Sequence, residues 1–423
     1  MDYQSDVFIN GKEDGIFLPT SSLIAEASSE DIYNHYAVRD VTSSATEIGA
    51  DTKKSQDIST LVTIQGISGS TPTTYLSGNN LELKNVVKKH LEMNGFAVNM
   101  DSDGTNQSST TDVSITYTEA QGKAFFTDGN LTSFLSLSEA AKTQKFKDYT
   151  KSIQDAIHEY KTEKNVWIWD RTAVSETPDE TINFLVQHHV DNLYLHFNPL
   201  IKESYPYFIQ KATENGMKVH ALMGAPQWGL EANIPDGKHR MDLVREYNEN
   251  APADGKFIGI HFDIEPHVLD EWDQDRADAV QQWANSVQEY IQYAKEFGFT
   301  VGTDLPFWTD GPSVEPYYPG FYQKMIDMND YVTVMAYRNT ALGSNSITSL
   351  SENEVLYANS PKVEIGVELK PHYLDYVSFD DKTNLEMEKE LALVRDYYKD
   401  LKAIGFKGIT YHSYREWRDL TNR

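Results

Sequence analysis

From Asn165 to its end, the chain alternates short apolar runs with helical stretches, and there are eight such runs. They are Val166–Asp170, Leu193–Asn198, Lys218–Met223, Phe257–Glu265, Thr300–Leu305, Tyr331–Tyr337, Lys362–Glu368 and Gly408–Tyr414. Each has the length of a strand. Helical patterns lie between most of them, such as Asp275–Phe297 and Asn384–Ile404. In the former, Val280, Trp283, Val287, Tyr290, Ile291 and Ala294 recur at helical spacing. Gly298 and Gly405 come just after these two helices, where a left-handed cap is wanted. Eight strand–helix units in about 260 residues fit an α/β protein of the (β/α)8 or TIM-barrel class. An open doubly wound sheet is the alternative. It wants a glycine-rich turn after its first strand, and Asp170-Arg171-Thr172 supplies none.

The first 145 residues read differently. They are rich in Ser, Thr, Asn and Gly, with strand-like runs at Leu61–Ile67, Phe96–Met100, Val113–Tyr117 and Lys123–Phe126. A helix is expected over Leu81–Met93, stopped at Gly95. The polar stretch Asp101–Asp112 reads as a loop. Asn106-Gln107-Ser108 and Asn130-Leu131-Thr132 match the glycosylation acceptor pattern, which chance often produces. The expectation is a small α+β accessory domain over 1–145 and the barrel over 146–423. Lys145–Glu163 is the helix leading into the barrel.

Composition removes several function classes. The net charge of −27 argues against nucleic acid and anionic membrane surfaces as partners, and leaves a neutral polymer such as a polysaccharide open. The absence of cysteine excludes disulfides, thiolate metal sites and a cysteine nucleophile. No apolar run approaches the ~20 residues of a membrane span. Met1-Asp2-Tyr3-Gln4 lacks the shape of a signal peptide. The expected setting is secreted or at the cell surface, after removal of a leader, with the cytoplasm as the alternative.

Chemistry concentrates at the fourth run. His261, Asp263 and Glu265 alternate along it, so all three side chains share one face. Desolvating two carboxylates and an imidazole is costly, and a core has no need of them. Acid–base chemistry does, where a strand ends at an open mouth. Other polar and aromatic groups fall at the C-terminal ends of the runs, where barrel enzymes carry their sites. These are Trp169, Asp170, His196, Asn198, Gln227, Trp228, Asp304, Trp308, Met335, Tyr337, Arg338, Glu368, His412 and Tyr414. Taken singly, each is equally a solvated loop residue or a helix cap, foremost Asp170, Asn198 and Arg338. Taken together they describe a cleft suited to a sugar polymer, with indoles to stack on rings and carboxylates and amides to bond hydroxyls.

Gly259-Ile260-His261-Phe262-Asp263-Ile264-Glu265 resembles the fourth-strand motif of glycoside hydrolase family 18, Asp-Gly-x-Asp-x-Asp-x-Glu, and Val334-Met335-Ala336-Tyr337 resembles its sixth-strand Met-x-Tyr segment. That family holds chitinases and endo-β-N-acetylglucosaminidases. The resemblance covers the barrel and is divergent. Ile258 and His261 stand at two acidic positions, Arg338 replaces the usual Asp, and Tyr411-His412-Ser413-Tyr414 lacks the usual tryptophan. The resemblance implies that Glu265 is the general acid, that Asp263 orients a substrate acetamido group, and that Tyr337 bonds to it. The acetamide oxygen is then the nucleophile. It implies no cofactor.

Three alternatives remain open at this level. Glu265 and Glu368 fit a two-carboxylate glycosidase, since retaining barrel enzymes of clan A carry glutamates on strands four and seven. A metal site built on His261, Asp263, Glu265 and His267, with His196 and His412, lacks a supporting helix motif. A sugar-binding barrel without catalysis is the non-enzymatic alternative. Serine chemistry finds no Gly-x-Ser-x-Gly elbow.

Overall fold

The computed structural model describes residues 15–17, 61–68, 74–78, 80–100, 113–120, 123–124 and 138–422. The chain divides into two compact units, Met1–Lys161 and Thr162–Arg423. The helix expected over Lys145–Glu163 runs from Glu139 to Lys161 and belongs to the first unit. The division therefore falls 16 residues beyond the expected end at 145 (161 − 145).

The first unit is α+β. Its sheet runs in the order Gly15–Phe17, Leu61–Ser68, Val113–Ala120, Thr74–Ser77, Val98–Met100, with Lys123–Ala124 paired to Val113–Ala120. The helix Leu81–Met93 starts where the Asn80 side chain accepts from the Leu83 amide. It stops before Gly95, whose φ of +81° suits a residue without Cβ. Leu83, Val86, Val87 and Leu91 from this helix pack with Tyr149, Ile153, Ala156 and Ile157 from the helix Glu139–Lys161. Asp101–Asp112 and both glycosylation-like triplets lie outside the described residues.

The second unit is a closed barrel of eight parallel strands. In chain order they are β1 (Glu163–Ile168), β2 (Asn192–His196), β3 (Lys218–Met223), β4 (Gly259–Phe262), β5 (Thr300–Pro306), β6 (Tyr331–Met335), β7 (Val363–Glu368) and β8 (Phe406–His412). Each pairs with its neighbours in sequence, and β8 closes on β1. Every strand is followed by a helix, from Pro178–Gln187 after β1 to Tyr414–Thr421 after β8. The longest, Arg276–Glu296, buries Val280, Trp283, Val287, Tyr290, Ile291 and Ala294, the stripe expected from the sequence. Asp275 caps its N-terminus, and Gly298 beyond its end has φ +77°. After the helix Asn384–Asp400, the left-handed residue is Lys402 rather than Gly405. Gly405 serves close packing: a Cβ there would lie 2.1 Å from the Val355 carbonyl oxygen.

Strand alternation separates two cores. On β4, Ile260, Phe262 and then Ile264 join the large apolar cluster between strands and helices. His261, of opposite parity, points into the lumen and is fully buried. Trp167, Tyr194, Leu222 and Tyr331, three aromatic rings and a leucine, form a separate cluster there. Large rings fit in this lumen because glycines stand opposite them. A Cβ on Gly302 would lie 2.2 Å from the Tyr331 ring, and one on Gly366 would lie 2.8 Å from Trp167.

Gly302→Ala should therefore force the Tyr331 ring aside and lower unfolding stability by about 2 kcal/mol or more, as overpacking does. Urea denaturation measures this. An unchanged midpoint would show that the lumen has slack at β5.

Candidate active site at the barrel mouth

The site rests on a polar lumen. Glu364 on β7 is fully buried and accepts from Tyr194 Oη (2.6 Å), Thr333 Oγ1 (3.1 Å), Thr410 Oγ1 (2.9 Å) and Lys407 Nζ (2.6 Å). Lys407 also bonds Glu163. One cation between two carboxylates, with hydroxyls filling the remaining lone pairs, meets the condition for burying charge. The Tyr194 ring stacks on His261 at 3.8 Å between centroids.

His261 links this layer to the mouth. Its Nδ1 lies 3.1 Å from Tyr331 Oη, and its Nε2 lies 2.8 Å from Asp304 Oδ1. Trp167 Nε1 donates to Asp304 Oδ2 at 3.1 Å. Burial holds the His261 imidazole down to about 3. Burial, with the Glu265 charge second, pushes the Asp304 carboxyl well above its ordinary range. Both effects disfavour charge, so His261 and Asp304 together hold one proton and form a net neutral pair.

Asp263 and Glu265 come next along the same face, beyond the last residue of β4. The Asp263 amide still bonds the Met223 carbonyl of β3 (3.0 Å), which continues the strand geometry past Phe262. Asp263 Oδ1 is buried with no hydrogen-bond partner among the described residues. Such an atom is costly unless a ligand supplies the partner. Burial and the Asp304 charge push the Asp263 carboxyl up to about 7, with Lys370 opposing. Glu265 is also pushed up to about 7, by burial and then by Asp263, with His412 opposing. About a third of its side chain, 35%, stays open to solvent. A carboxyl that is half protonated at neutral pH and accessible has the properties of a general acid.

The opposite wall is fixed by Glu368. Its Oε1 accepts from the amides of Leu369 (2.9 Å) and Lys370 (2.8 Å). His412 Nδ1 lies 3.0 Å from Oε2, and Trp169 Nε1 donates to His412 Nε2 at 3.0 Å. An indole N–H only donates, so Nε2 is the acceptor and Nδ1 carries the proton that Glu368 receives. The Tyr337 ring is nearly parallel to the His412 ring (12°), with centroids 5.9 Å apart. Burial, then the charges of Glu368, Asp304, Asp263 and Glu265, hold the Tyr337 hydroxyl well above its usual range. It is a permanent donor surrounded by carboxylates. The imidazoles of His261 and His412 have both nitrogens engaged, so neither presents a free metal-binding lone pair.

Several residues expected at the mouth do other work. Asp170 accepts from the Thr172 amide and hydroxyl (2.9 and 2.7 Å) and starts the helix after β1. Asn198 caps the short helix Pro199–Ile201 through the Leu200 amide (3.0 Å). Arg338 is pinned to Asn345 Oδ1 (2.8 Å) and to the Tyr337 carbonyl (2.7 Å), between the rings of Phe307 and Tyr376. Tyr414, 2% exposed, is a core residue edge-on to Phe184. Trp308 packs on His267 and Trp272. Met335 is the buried last residue of β6, and Trp228 is buried beside Tyr290. His196 lies against Trp169 with ring centroids 5.5 Å apart. The sequence alone does not single out Trp167, Tyr194, Tyr331 and Glu364. The one signal for Tyr194, Tyr331 and Glu364 is a charged or hydroxylated residue at lumen parity within an apolar strand.

The carboxyls of Asp263 and Glu265 lie near 7 in the folded protein, above about 4 in an unfolded chain. The folded state thus binds more protons between those values, and stability declines as pH rises through about 7. Asp263→Asn removes one such group and the repulsion acting on Glu265. The variant should lose less stability than wild type between pH 4 and 8, measured as urea midpoints across that range. Parallel curves would contradict the placement of these two groups.

No protein-family model matches the chain, and no curated protein matches it. Among solved structures, it is similar to the C-terminal domain of a chitinase candidate from Desulfitobacterium hafniense, with 13% identity over 60% of this chain and 94% of that one, at TM-score 0.44. The spore cortex-lytic enzyme SleL of Bacillus megaterium aligns at 14% identity over 61% of this chain and 73% of that one, with TM-score 0.40. A glycoside hydrolase family 18 chitinase from Pseudoalteromonas aurantia aligns at 13% identity over 60% and 94%, also at TM-score 0.40. At likeness of this degree, function is read from the site itself.

Proposed function

We propose that the barrel hydrolyses a glycosidic bond beside an N-acetylhexosamine in a polysaccharide or glycan. The observation that carries this is the Asp263–Glu265 pair. The two carboxyls alternate at the end of β4, both pushed up to about 7, with a buried unpartnered Asp263 oxygen and the permanent donor Tyr337 nearby. Glu265 donates its proton to the glycosidic oxygen as the bond to C1 breaks. The acetamide oxygen forms a new bond to C1, while Asp263 accepts from the acetamide N–H and Tyr337 bonds the same group. Water then attacks C1, giving its proton to Glu265 and expelling the acetamide oxygen, which restores the enzyme.

Glu368 favours this route over a two-carboxylate one. Its Oε1 holds two backbone amides and its Oε2 faces the His412 N–H, and these hydrogen bonds weaken it as a nucleophile.

Turnover of N-acetylated chito-oligosaccharide should fall about a thousandfold in Glu265→Gln, in the range lost with a general acid, while binding persists. De-N-acetylated oligosaccharide should not be cleaved, since it lacks the nucleophile. Wild-type activity should decline as pH rises through about 7, as Glu265 loses its proton, and Asp263→Asn should move that limb to lower pH. If wild type binds these glycans but releases nothing, and Glu265→Gln binds equally, the barrel is a sugar-binding protein.

A further inference from the structure

Beside the carboxylates lies a second recess. A cavity of about 330 Å³ is lined by His196, Gly224, Trp228, Asp236, His239 and Arg240, among others. These come from the ends of β2 and β3 and from the helix Ile234–Asn250. It adjoins the site on two sides. His196 lies against Trp169, which bonds His412. Gly224 sits so close to the Asp263 carbonyl that a Cβ would fall 1.6 Å from its oxygen.

A cation without a carboxylate partner among the described residues stands in this recess. In a protein of net charge −27, whose neighbouring mouth gathers four carboxyl groups, this recess holds one guanidinium, Arg240, beside two imidazoles and the Asp236 carboxylate; burial and then Arg240 keep the His196 imidazole below its ordinary range. Arg240 donates one N–H to the Phe197 carbonyl (3.0 Å) and lies 5.8 Å from that ring's centre. Among the described residues it makes no ion pair. Asp236, one turn earlier on the same helix, is exposed and is not paired with it. The other donors of Arg240 are uncommitted, although most cations in an acidic protein find a carboxylate.

We propose that this recess is a subsite for an anionic substituent, a carboxylate or phosphate, on a sugar neighbouring the cleaved bond. The proposal rests on the glycosidase reading of Asp263 and Glu265. Arg240 binds the anion through its planar fork of donors, and His196 and His239 flank it. The volume is at the low end of the ~300–1,000 Å³ of small-molecule sites, enough for one substituted sugar.

The test compares an N-acetylhexosamine oligosaccharide bearing a carboxylate ether, its methyl ester and a phosphate-substituted analogue. Wild type should prefer the acid over the ester by roughly ten- to a hundredfold in kcat/KM, the span of a charge-assisted hydrogen bond. In Arg240→Gln the ratio should collapse towards one, and Arg240→Lys should keep part of it. A larger preference for the phosphate analogue, equally lost in Arg240→Gln, would support the subsite and identify phosphate as its anion. A wild-type ratio of one, or a ratio unchanged in Arg240→Gln, overturns the proposal. Equilibrium binding of the acid and ester to the full chain separates the two readings. Selective binding without turnover would retain the subsite and refute the hydrolase.

Discussion

Eight parallel strands that close on themselves enclose a lumen, and side chains of the correct parity must fill it. In this protein the filling is polar and aromatic. Glu364 gathers four donors at one level, and one of them, Lys407, is shared with Glu163. The Tyr194, Tyr331, Trp167 and His261 rings occupy the space above, in gaps left by glycines on β5 and β7. A single partner lost from such a network leaves buried charge or an orphaned donor. That interdependence holds His261 in place, and His261 holds Asp304.

The pairing of His261 with Asp304 changes the meaning of the residue that departs most from the family motif. Where the resembling pattern has an acid on β4, this chain has an imidazole. An acid on β5, Asp304, bonds that imidazole at 2.8 Å. The lumen thereby keeps a carboxyl group next to Asp263 and Glu265 without placing three on one strand. The acids still influence one another: Asp304 adds to the burial that raises Asp263, and Glu265 adds to the burial that raises Asp304. Burial first, and mutual proximity second, favours the protonated form of these acids near neutrality.

The barrel was legible in the sequence because periodicity survives wherever one strand face meets the helices. Ile260, Phe262 and Ile264 mark that face, and their opposite parity picked out His261, Asp263 and Glu265. Strand ends were less legible. The Phe257–Glu265 run contains only four residues of regular ladder, because the carboxylates lie where pairing gives way to the mouth. The rule that residues after a strand face the cleft failed for Asp170 and Asn198, since a helix starting there competes for a short polar side chain. It failed for Tyr414 because the terminal helix turns that ring into the core with Trp417. The lumen residues Glu364 and Tyr331 were invisible for another reason: a lone polar group in an apolar run does not disclose its partners on distant strands.

Glu368 shows how the same local chemistry narrows the mechanism. A nucleophilic carboxylate must present an oxygen with free lone pairs to the sugar carbon. Here the oxygens are occupied by two successive backbone amides and by an imidazole whose tautomer is dictated by Trp169. That arrangement suits a rigid wall. It orients the His412 ring beside Tyr337, and His412 is the neighbour that opposes the upward push of burial and Asp263 on Glu265. Glu265 is therefore poised by opposing influences: burial and a neighbouring acid favour its proton, and the imidazole favours its loss. A group held between the two gives up and recovers a proton in one catalytic cycle, which a carboxyl pushed far in either direction does less readily.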